Sequence, residues 1–400
     1  MDKRKIIFLD HGQGAGGSAT NLISLIKNLN KNKFEPSVVF SSRSMFSQRI
    51  IDLGVPVITL KGPAFMSISF EIGGKRICNP FAVIFNLMLI LVKAAQLYIY
   101  LISTKALILQ TNEMFEHIYG GLAAQFSKTF CVWHMQEIPS RGSLFGVGRI
   151  FLNIAAIILP KKIIVISKAV RSAFCRYIQR KTIIIYNGTA LADFCDQEKF
   201  GLGKTNKKTH ERKPKLAVVM VARLVPWKGH RVFLKAAKLI HDRFPYVKFF
   251  IAGDLDSVPK RYAVELQTLV RKLGIQDVIS FTGHVENIED VLQLADIVVH
   301  CPIRPEPFGL AIIEAMAFSK PVIASDIGAT SEIIVNMKDG ILVRPNDPVS
   351  LAEATMCLIV SEKKRADLGA AARKAVKQKF TLQRFSTELE ELYSSLSNKR

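Results

Sequence analysis

Two cations lie five residues apart in the second half of the chain, Arg223 and Lys228 in the segment R-L-V-P-W-K-G. The apolar run Leu216–Val221 directly precedes this segment and predicts a strand, and His230–Asp242 follows it with a helical pattern. A turn from a strand into a helix can direct two cations and the N–H groups of the helix start at one anion. Such a site suits a diphosphate, although the segment alone could equally be an exposed basic loop.

Two carboxylates stand eight residues apart further along the chain, Glu306 and Glu314 in the segment E-P-F-G-L-A-I-I-E. The predicted strand Ile297–His300 lies before them. An apolar helix is predicted to start at Gly309 and Leu310, whose backbone N–H groups would suit phosphate. Glu306 could then reach a sugar and Glu314 a ribose. A lone pair of this kind could be two surface glutamates, but two such loops in neighbouring strand–helix units favour a nucleotide-diphosphate site.

These segments resemble the retaining glycosyltransferases of family 4, which have the GT-B fold. The resemblance covers most of the chain and is strongest from Val221 to Val343, in V-A-R-L-V-P-W-K-G, F-T-G-H, E-P-F-G-L-A-I-I-E and P-V-I-A-S-D-I-G-A-T-S-E. It implies that Arg223 and Lys228 bind the donor diphosphate, Glu306 the transferred sugar, and Glu314 the ribose. The full donor-binding set that it implies is Arg223, Lys228, Gly283, Val285, Glu306, Phe308, Gly309, Leu310 and Glu314.

The first half of the chain has weaker matches to the same family. A glycine-rich run matches the family's loop near acceptor and phosphate, which implies a role for Gly16 and Gly17, although alone it is only a turn signal. His134, in W-H-M-Q-E, matches the position where the family places a histidine beside the donor sugar, although a lone histidine is more often structural. The catalytic residues implied by the resemblance are Glu306, His134, Arg223 and Lys228.

Asp254 and Asp256 form a D-x-D segment, which other glycosyltransferases use to hold a divalent metal against the diphosphate. Because Arg223 and Lys228 could already neutralise the phosphates, we predict no metal and no resident cofactor, with a UDP-sugar as the expected co-substrate. The six cysteines are scattered without metal-ligand or disulfide spacing, which predicts reduced thiols in a cytosolic protein.

Short apolar runs and longer helical patterns alternate along both halves of the chain. The strands predicted in the first half are Lys5–Leu9, Pro36–Phe40, Val57–Leu60, Ala106–Gln110, Thr129–Trp133, Lys162–Ile166 and Thr182–Tyr186. Those predicted in the second half are Leu216–Val221, Val247–Ala252, Ile279–Thr282, Ile297–His300, Pro321–Ala324 and Gly340–Val343. Strands separated by helices indicate βαβ units and parallel sheets. The predicted fold class is therefore α/β, GT-B, with two doubly wound Rossmann-like domains facing across a cleft.

A polar, basic segment at residues 191–215 interrupts this alternation and predicts a linker. Residues 1–190 are then an N-terminal acceptor-side domain, and residues 216–380 a C-terminal nucleotide-sugar-binding domain. Residues 381–400 are predicted to form a C-terminal helix that could pack back on the N-terminal domain.

Positive charge is concentrated in the first half: residues 1–190 hold 23 basic and 8 acidic residues, and residues 191–400 hold 32 and 25. Such a surface attracts an anionic membrane or nucleic acid. Nothing in the sequence resembles a nucleic-acid-binding module. We therefore predict a cytoplasmic protein, peripheral on the inner face of a membrane, with no nucleic-acid partner. A generally basic proteome is the alternative explanation.

The segment Pro80–Ile102 is apolar over 23 residues, enough to reach across a bilayer. It contains Asn86, Lys93 and Gln96, and a central lysine costs roughly 2.5–3.5 kcal/mol to insert. We therefore predict an apolar domain helix with one face on the membrane. At the start of the chain only four apolar residues, Ile6–Leu9, follow the basic ones, which predicts a buried strand and no signal peptide.

The resemblance, together with these features, implies a retaining, hexosyltransferase-like enzyme. It would move a sugar from a nucleotide-diphosphate sugar to a glycan or lipid-linked acceptor, in bacterial cell-surface polysaccharide synthesis. Two alternatives stay open at this point. One is a sugar-nucleotide epimerase of the same fold, and the other is a non-catalytic sugar-nucleotide-binding subunit, which should lack an intact Glu306–Glu314 pair.

Overall fold

A computed structural model of the chain describes residues 3–12, 17–42, 44, 46–72, 75–139, 147–191, 215–253, 260–283, 285 and 287–397. The chain divides into two units: unit 1 comprises Met1–Asn187 and Gln383–Arg400, and unit 2 comprises Gly188–Leu382. Residues 192–214, nearly all of the predicted linker, lie outside the described residues.

Unit 1 is built on a parallel sheet. Its strands are β1 (Arg4–Asp10), β2 (Phe34–Phe40), β3 (Val57–Thr59), β4 (Ser69–Ile72), β5 (Lys75–Cys78), β6 (Ile108–Thr111), β7 (Phe130–Met135), β8 (Lys162–Val165) and β9 (Thr182–Ile184). Seven of them form the sheet in the order β3-β2-β1-β6-β7-β8-β9, and β4 and β5 form a separate antiparallel hairpin. The hairpin has no counterpart in the sequence prediction.

The helices of unit 1 are α1 (Gly17–Asn28), α2 (Ser47–Ile51), α3 (Pro80–Thr104), α4 (Met114–Ser127), α5 (Val147–Ile158), α6 (Lys168–Ser172) and α7 (Arg176–Gln179). The chain passes from β1 to β3 toward one edge of the sheet and from β6 to β9 toward the other. Since crossovers between parallel strands are right-handed, α1 and α2 cover one face, and α3, α4 and α5 cover the other.

Unit 2 repeats this design with a six-stranded parallel sheet. Its strands are β10 (Leu216–Val221), β11 (Val247–Ala252), β12 (Ile279–Gly283), β13 (Ile297–His300), β14 (Val322–Ser325) and β15 (Ile341–Val343). The strand order is β12-β11-β10-β13-β14-β15, so the direction of travel reverses between β10 and β13. Loops beyond the carboxyl ends of the strands at such a reversal form the usual ligand site of an open α/β sheet.

The helices of unit 2 are α8 (His230–His241), α9 (Lys260–Leu273), α10 (Ile288–Leu294), α11 (Leu310–Ala317), α12 (Thr330–Ile333), α13 (Pro348–Ile359) and α14 (Glu362–Lys379). A last helix, α15 (Leu382–Ser397), belongs to unit 1 from Gln383 onward. There the Tyr393 hydroxyl donates a hydrogen bond to the Gln110 side-chain oxygen at the end of β6. The predicted α/β class, with two doubly wound parallel-sheet domains, is confirmed.

Helix α3 begins at Pro80, where the Asn79 side chain caps the Ala82 amide, and ends before Lys105 in the left-handed region. It is 25 residues long and contains an 18-residue window with a mean hydropathy of 1.9, so by length and composition alone it could cross a membrane. However, its polar side chains are bonded inside unit 1. The Asn86 amide pairs with the backbone of Met66, and the buried Lys93 ammonium donates to the Ser41 carbonyl at 2.7 Å. Within unit 1, α3 is therefore a domain helix whose packed face is mostly apolar and includes the bonded Asn86 and Lys93.

Candidate functional site

The loop that follows β10 is tied to the loop that follows β13. A Cβ at Gly229, where φ is +85°, would overlap the carbonyl oxygen of Cys301, so only glycine allows this approach. The Ile303 amide also donates to the Trp227 carbonyl at 2.8 Å. Because β10 and β13 are neighbours in the sheet, the predicted diphosphate loop and the predicted carboxylate loop meet at the point where strand order reverses.

Three ionisable side chains meet at this junction. The Lys228 ammonium lies 2.6 Å from Oε2 of Glu306, and Nε2 of His300 lies 2.9 Å from the same oxygen. The side chains of Lys228 and Glu306 are only 12% and 6% exposed. A carboxylate can only accept, so His300 donates to Glu306 through Nε2. We call Lys228, His300 and Glu306 the charged cluster.

The charged cluster keeps Glu306 ionised. Burial alone would raise the pKa of this carboxyl, but the hydrogen bond and charge of His300 and the charge and hydrogen bond of Lys228 outweigh it and lower the pKa to about 2. Burial lowers the pKa of Lys228, an effect that Glu306 opposes and the nearby charge of Arg223 reinforces. At neutral pH Glu306 is therefore a fixed anion and cannot act as a general acid.

The backbone around Glu306 is fixed as well. Gly328, with φ +74°, pairs with Glu306 so closely that a Cβ would overlap the Glu306 backbone. The Ala329 amide donates to the Glu306 carbonyl at 2.9 Å. The loop after β14 thus holds the loop after β13, and the carboxylate is positioned before any ligand binds.

Helix α11 starts directly beside the charged cluster. Gly309, with φ +105°, is its N-cap, and Leu310 is its first residue, so the first amide groups of the helix lack intrahelical acceptors. The Phe308 side chain is 2% exposed and packs edge-to-face against Phe380, with ring centroids 5.9 Å apart. This arrangement suits an anion at the helix start.

Glu314 lies one turn inside α11. Although its side chain keeps partial exposure, desolvation by its surroundings raises the pKa of the carboxyl to about 7. No hydrogen-bond donor to this carboxyl is found among the described residues. A carboxyl of this kind can accept from hydroxyl groups, which is the role that the sequence predicts for it.

The other predicted donor-site residues are placed as follows. Arg223 is exposed and lies near enough to Lys228 to lower its pKa. Gly283, with φ +75°, ends β12, and a Cβ at this position would meet no other atom within 4 Å; Val285 is partly buried beyond it. Asp254 and Asp256 lie outside the described residues, and among those described no group of three or more metal-ligating side chains is found.

Unit 1 places a different set of side chains at the carboxyl edge of its sheet. The Gln110 amide donates to Oδ1 of Asn112 at 3.2 Å and to Nδ1 of His134 at 3.3 Å. His134 is therefore protonated on Nε2, and burial lowers its pKa to about 4, which keeps the ring neutral. Among the described residues Nε2 of His134 has no hydrogen-bond partner, and neither has the Asn21 amide nitrogen.

These side chains line a small recess that includes Asn21, Asn112, His134, Gln136 and Phe385. We call it the neutral recess. Gly17 is the first residue of α1, the helix that carries Asn21, and Gly16 lies outside the described residues.

Sequence reasoning missed three residues at these edges. His300 was assigned only as the end of a strand, although its place six residues before Glu306 is a usable signal. Gln110 and Tyr393 are 283 residues apart in the chain, and no local pattern joins them.

Comparison with known proteins adds to this geometry. Residues 203–375 match the family of glycosyl transferases group 1. The chain is 28% identical over 256 residues to an uncharacterized glycosyltransferase of Methanocaldococcus jannaschii, and 28% identical over 212 residues to the D-inositol 3-phosphate glycosyltransferase of Corynebacterium urealyticum. These matches cover 63% and 50% of this chain and 64% and 49% of the relatives. The chain thus spans about half to just under two thirds of the length of these relatives.

Among solved structures, Anabaena HepE in complex with UDP and glucose is similar with a TM-score of 0.79 and 22% identity, over 98% of this chain and 100% of that one. A glycosyltransferase of Rickettsia africae is similar with a TM-score of 0.78 and 20% identity, over the whole of both chains. At such identities the likeness shows the fold, and the predicted GT-B class is confirmed.

Proposed function

We propose that this chain, whose second unit is a glycosyl transferases group 1 domain, transfers a sugar from a nucleoside diphosphate to an acceptor hydroxyl. The observation that carries the proposal is the charged cluster, buried at the start of α11 where the strand order of unit 2 reverses. A cation, a helix start and a fixed carboxylate at one point suit a molecule that joins a diphosphate to a sugar.

The role of Lys228 follows from its donors. An ammonium has three N–H bonds, and one of them is used by Glu306. The others can bond the diphosphate, together with Arg223 and the first amides of α11. When the bond between the anomeric carbon and the diphosphate oxygen breaks, the electron pair stays on the leaving diphosphate. Positive groups placed beforehand at that oxygen stabilise the charge that develops.

Glu306 supports the same step from the other side. Because its pKa is about 2, it stays ionised and can accept hydrogen bonds from sugar hydroxyls and stabilise positive charge at the anomeric carbon. The proton lost by the acceptor hydroxyl must therefore leave by another route, which the departing diphosphate can provide. Transfer on the face that the diphosphate leaves would retain configuration, as the resemblance to family 4 implies.

The donor and acceptor classes belong to the proposal. Anabaena HepE binds UDP and UDP-glucose, and another structure of the same fold is a lipopolysaccharide outer core galactosyltransferase. These neighbours favour a UDP-sugar donor and a glycan or lipid-linked acceptor. We therefore propose a place in cell-surface polysaccharide synthesis, with the chain peripheral on the inner face of the membrane.

The proposal is tested by thermal shift of the full chain with UDP-, GDP- and ADP-sugars, followed by product analysis. A ligand at about 100 times its Kd adds roughly 2.7 kcal/mol of stability, so the matching nucleotide should raise Tm by several degrees. Arg223→Ala should lose this shift, whereas Lys235→Ala, on the exposed side of α8, should keep it.

Two results would contradict the proposal. If no nucleotide sugar changed the Tm of the wild-type chain, the proposed donor site would be wrong. Conversion of the donor sugar into its epimer without any acceptor would replace transfer by epimerisation.

A further inference from the structure

Two helices of unit 1 expose unusually apolar faces. On α3 six large apolar side chains are between 57% and 66% exposed: Phe81, Ile84, Leu87, Met88, Leu91 and Ile99. On α5 four more are between 50% and 65% exposed: Ile150, Phe151, Ile154 and Ile158. Contiguous apolar faces of this kind mark surfaces that contact a partner or a membrane.

The two faces belong to one side of unit 1. Helices α3, α4 and α5 cover the same face of the unit 1 sheet, as the strand order requires. Helix α4 lies between the others: it packs against α3, and its Gln125 side chain donates to the Ile158 carbonyl at the end of α5 at 2.9 Å. Helix α4 itself is mostly buried, but its Phe126 is 76% exposed. We call α3, Phe126 and α5 together the apolar layer.

Exposed lysines stand at one end of this layer. Lys105 follows α3, Lys128 follows α4 and Lys161 follows α5, so each stands just before the amino end of the next strand. At the same edge of the sheet, exposed Lys5 and Lys33 stand at the amino ends of β1 and β2. The sequences of α3 and α5 contain no acidic residue. An apolar surface bordered by cations on one side matches an anionic lipid bilayer.

The opposite face of α3 determines whether the helix could span a bilayer or only lie at its surface. Asn86 and Lys93 lie on that face, buried and bonded to the backbone of Met66 and Ser41. To span the bilayer, α3 would have to break these bonds and carry both side chains into hydrocarbon. With these bonds intact, α3 can place only its exposed face in lipid and cannot span a bilayer.

We propose that the apolar layer inserts into the interface of an anionic bilayer while the lysines at its edge contact the lipid headgroups. This inference rests on the membrane association in the proposed function, and it names the surface of unit 1 that would contact the membrane. A second copy of the chain is the weaker occupant, since two such layers in contact would bring two strongly basic units together.

Vesicle binding of the full chain tests the proposal. Sedimentation with phosphatidylcholine vesicles that contain about 30% phosphatidylglycerol should pull down the wild-type chain, and pure phosphatidylcholine should bind at least about tenfold less. Leu91→Asp combined with Ile154→Asp should lower binding to the mixed vesicles by about tenfold or more. The matched control is Val264→Asp combined with Val360→Asp, two exposed valines of unit 2, which should bind like wild type.

A second measurement reports insertion directly. In Met88→Trp, brominated lipid should quench tryptophan emission well beyond the quenching in the wild-type chain, whose two tryptophans are the fully buried Trp133 and the partly buried Trp227 of unit 2. Wild-type binding by Leu91→Asp with Ile154→Asp, or no added quenching in Met88→Trp, would overturn the proposal. A dimer that this double variant dissociates, without any vesicle binding, would assign the layer to a second copy.

The nucleotide thermal shift is measured on the same variants. It should be unchanged, because the substituted side chains are exposed on unit 1 and lie outside the charged cluster. Vesicle binding needs no nucleotide sugar. A failure of the bilayer surface therefore leaves the proposed transfer activity standing, and a failure of transfer leaves the bilayer surface standing.

Discussion

Units 1 and 2 each place polar side chains at the carboxyl edge of a parallel sheet, but the two sets differ in charge. In unit 2 the charged cluster joins a lysine, a histidine and a carboxylate whose pKa is about 2. In unit 1 the side chains that line the neutral recess include amides and His134, which burial keeps uncharged because its pKa is about 4. An acidic side chain, the buried Asp10, does not line the recess but accepts a hydrogen bond from the Asn112 amide at 3.1 Å.

Under the proposed function, the difference fits the groups that each edge would bind. Fixed charges stabilise a group that gains charge, such as a leaving diphosphate, and a preformed cation needs no rearrangement at that moment. Neutral donors and acceptors suit hydroxyl groups, for which a charge would bring only a desolvation cost. We therefore expect substitutions in unit 2 to act on the chemical step and substitutions in unit 1 to act mainly on binding.

The largest expected effect is that of Lys228→Ala. The change removes the cation that we propose binds the diphosphate. Among the described residues it leaves His300 as the remaining side-chain partner of the buried Glu306. We expect the turnover number to fall by about 10²–10³, as when one donor to a developing anion is removed. Steady-state assays of donor consumption would measure it, with Lys235→Ala as the exposed lysine control. Near-normal turnover in Lys228→Ala would contradict the assignment of the charged cluster.

A smaller effect is expected for His300→Leu, because we assign His300 to the positioning of Glu306 through its hydrogen bond of 2.9 Å. Loss of a hydrogen bond to a charged group costs about 1.5–3 kcal/mol, so activity should fall by roughly 10- to 100-fold. The pKa of Glu306 should also rise from about 2, so the loss of activity on acidification should begin at a higher pH than in wild type.

His300→Gln separates positioning from packing. Its amide can still donate to Glu306, so this variant should recover part of the activity and move the acid limb of the pH profile back. If His300→Leu and His300→Gln have the same activity and the same acid limb of the pH profile, His300 contributes only packing.

How far the sequence predicts these sites depends on how many residues separate the contacting side chains along the chain. Short motifs next to strand ends are enough to single out four candidate site residues: Arg223, Lys228, Gly309 and Glu314. The contact between Lys228 and Glu306 spans 78 residues and depends on β10 and β13 being neighbours, which the sequence does not specify.

The same limit applies to unit 1. His134 could be singled out from its position after a strand, but its neutral state depends on Gln110, which in turn is held by Tyr393 in the last helix. The apolar character of α3 was evident from composition. Which of its residues are buried and which are exposed depends on the packing of α3 against the rest of unit 1.

The neutral recess is tested by His134→Phe, with a smaller expected effect. The ring nitrogens offer neutral hydrogen bonds, each worth about 0.5–1.5 kcal/mol, so kcat/KM should fall by roughly 2- to 12-fold, mostly through KM. Because His134 stays neutral above a pH of about 4, the ratio of variant to wild type should be constant across the neutral range. The exposed Gln48→Ala is the control in unit 1. A ratio that changes near neutral pH would show that His134 titrates, and the contrast between the units would fail.

The smallest expected effect is a gain of stability in Glu314→Gln. The folded-state pKa of Glu314 is raised to about 7, so its contribution to stability is complete below the unfolded value of about 4.5 and is lost as pH rises through 7. Because glutamine carries no charge, the variant does not lose this stability as the pH rises. The gain should be about 1 kcal/mol, below the roughly 3 kcal/mol of the full shift, because the carboxyl keeps some access to water and the amide must itself be desolvated.

Thermal unfolding at two pH values measures this gain. Glu314→Gln should raise Tm by about 2–4 °C near pH 8 and by little near pH 5, whereas the exposed Glu353→Gln should change neither. The same variant should bind the nucleotide sugar more weakly, because an amide is a poorer acceptor for ribose hydroxyls than a carboxylate. If Glu314→Gln is more stable than wild type but binds the nucleotide sugar more weakly, the Glu314 carboxyl contributes to ligand binding and lowers the stability of the fold. Equal Tm gains at both pH values would show that burial does not raise the pKa of this carboxyl.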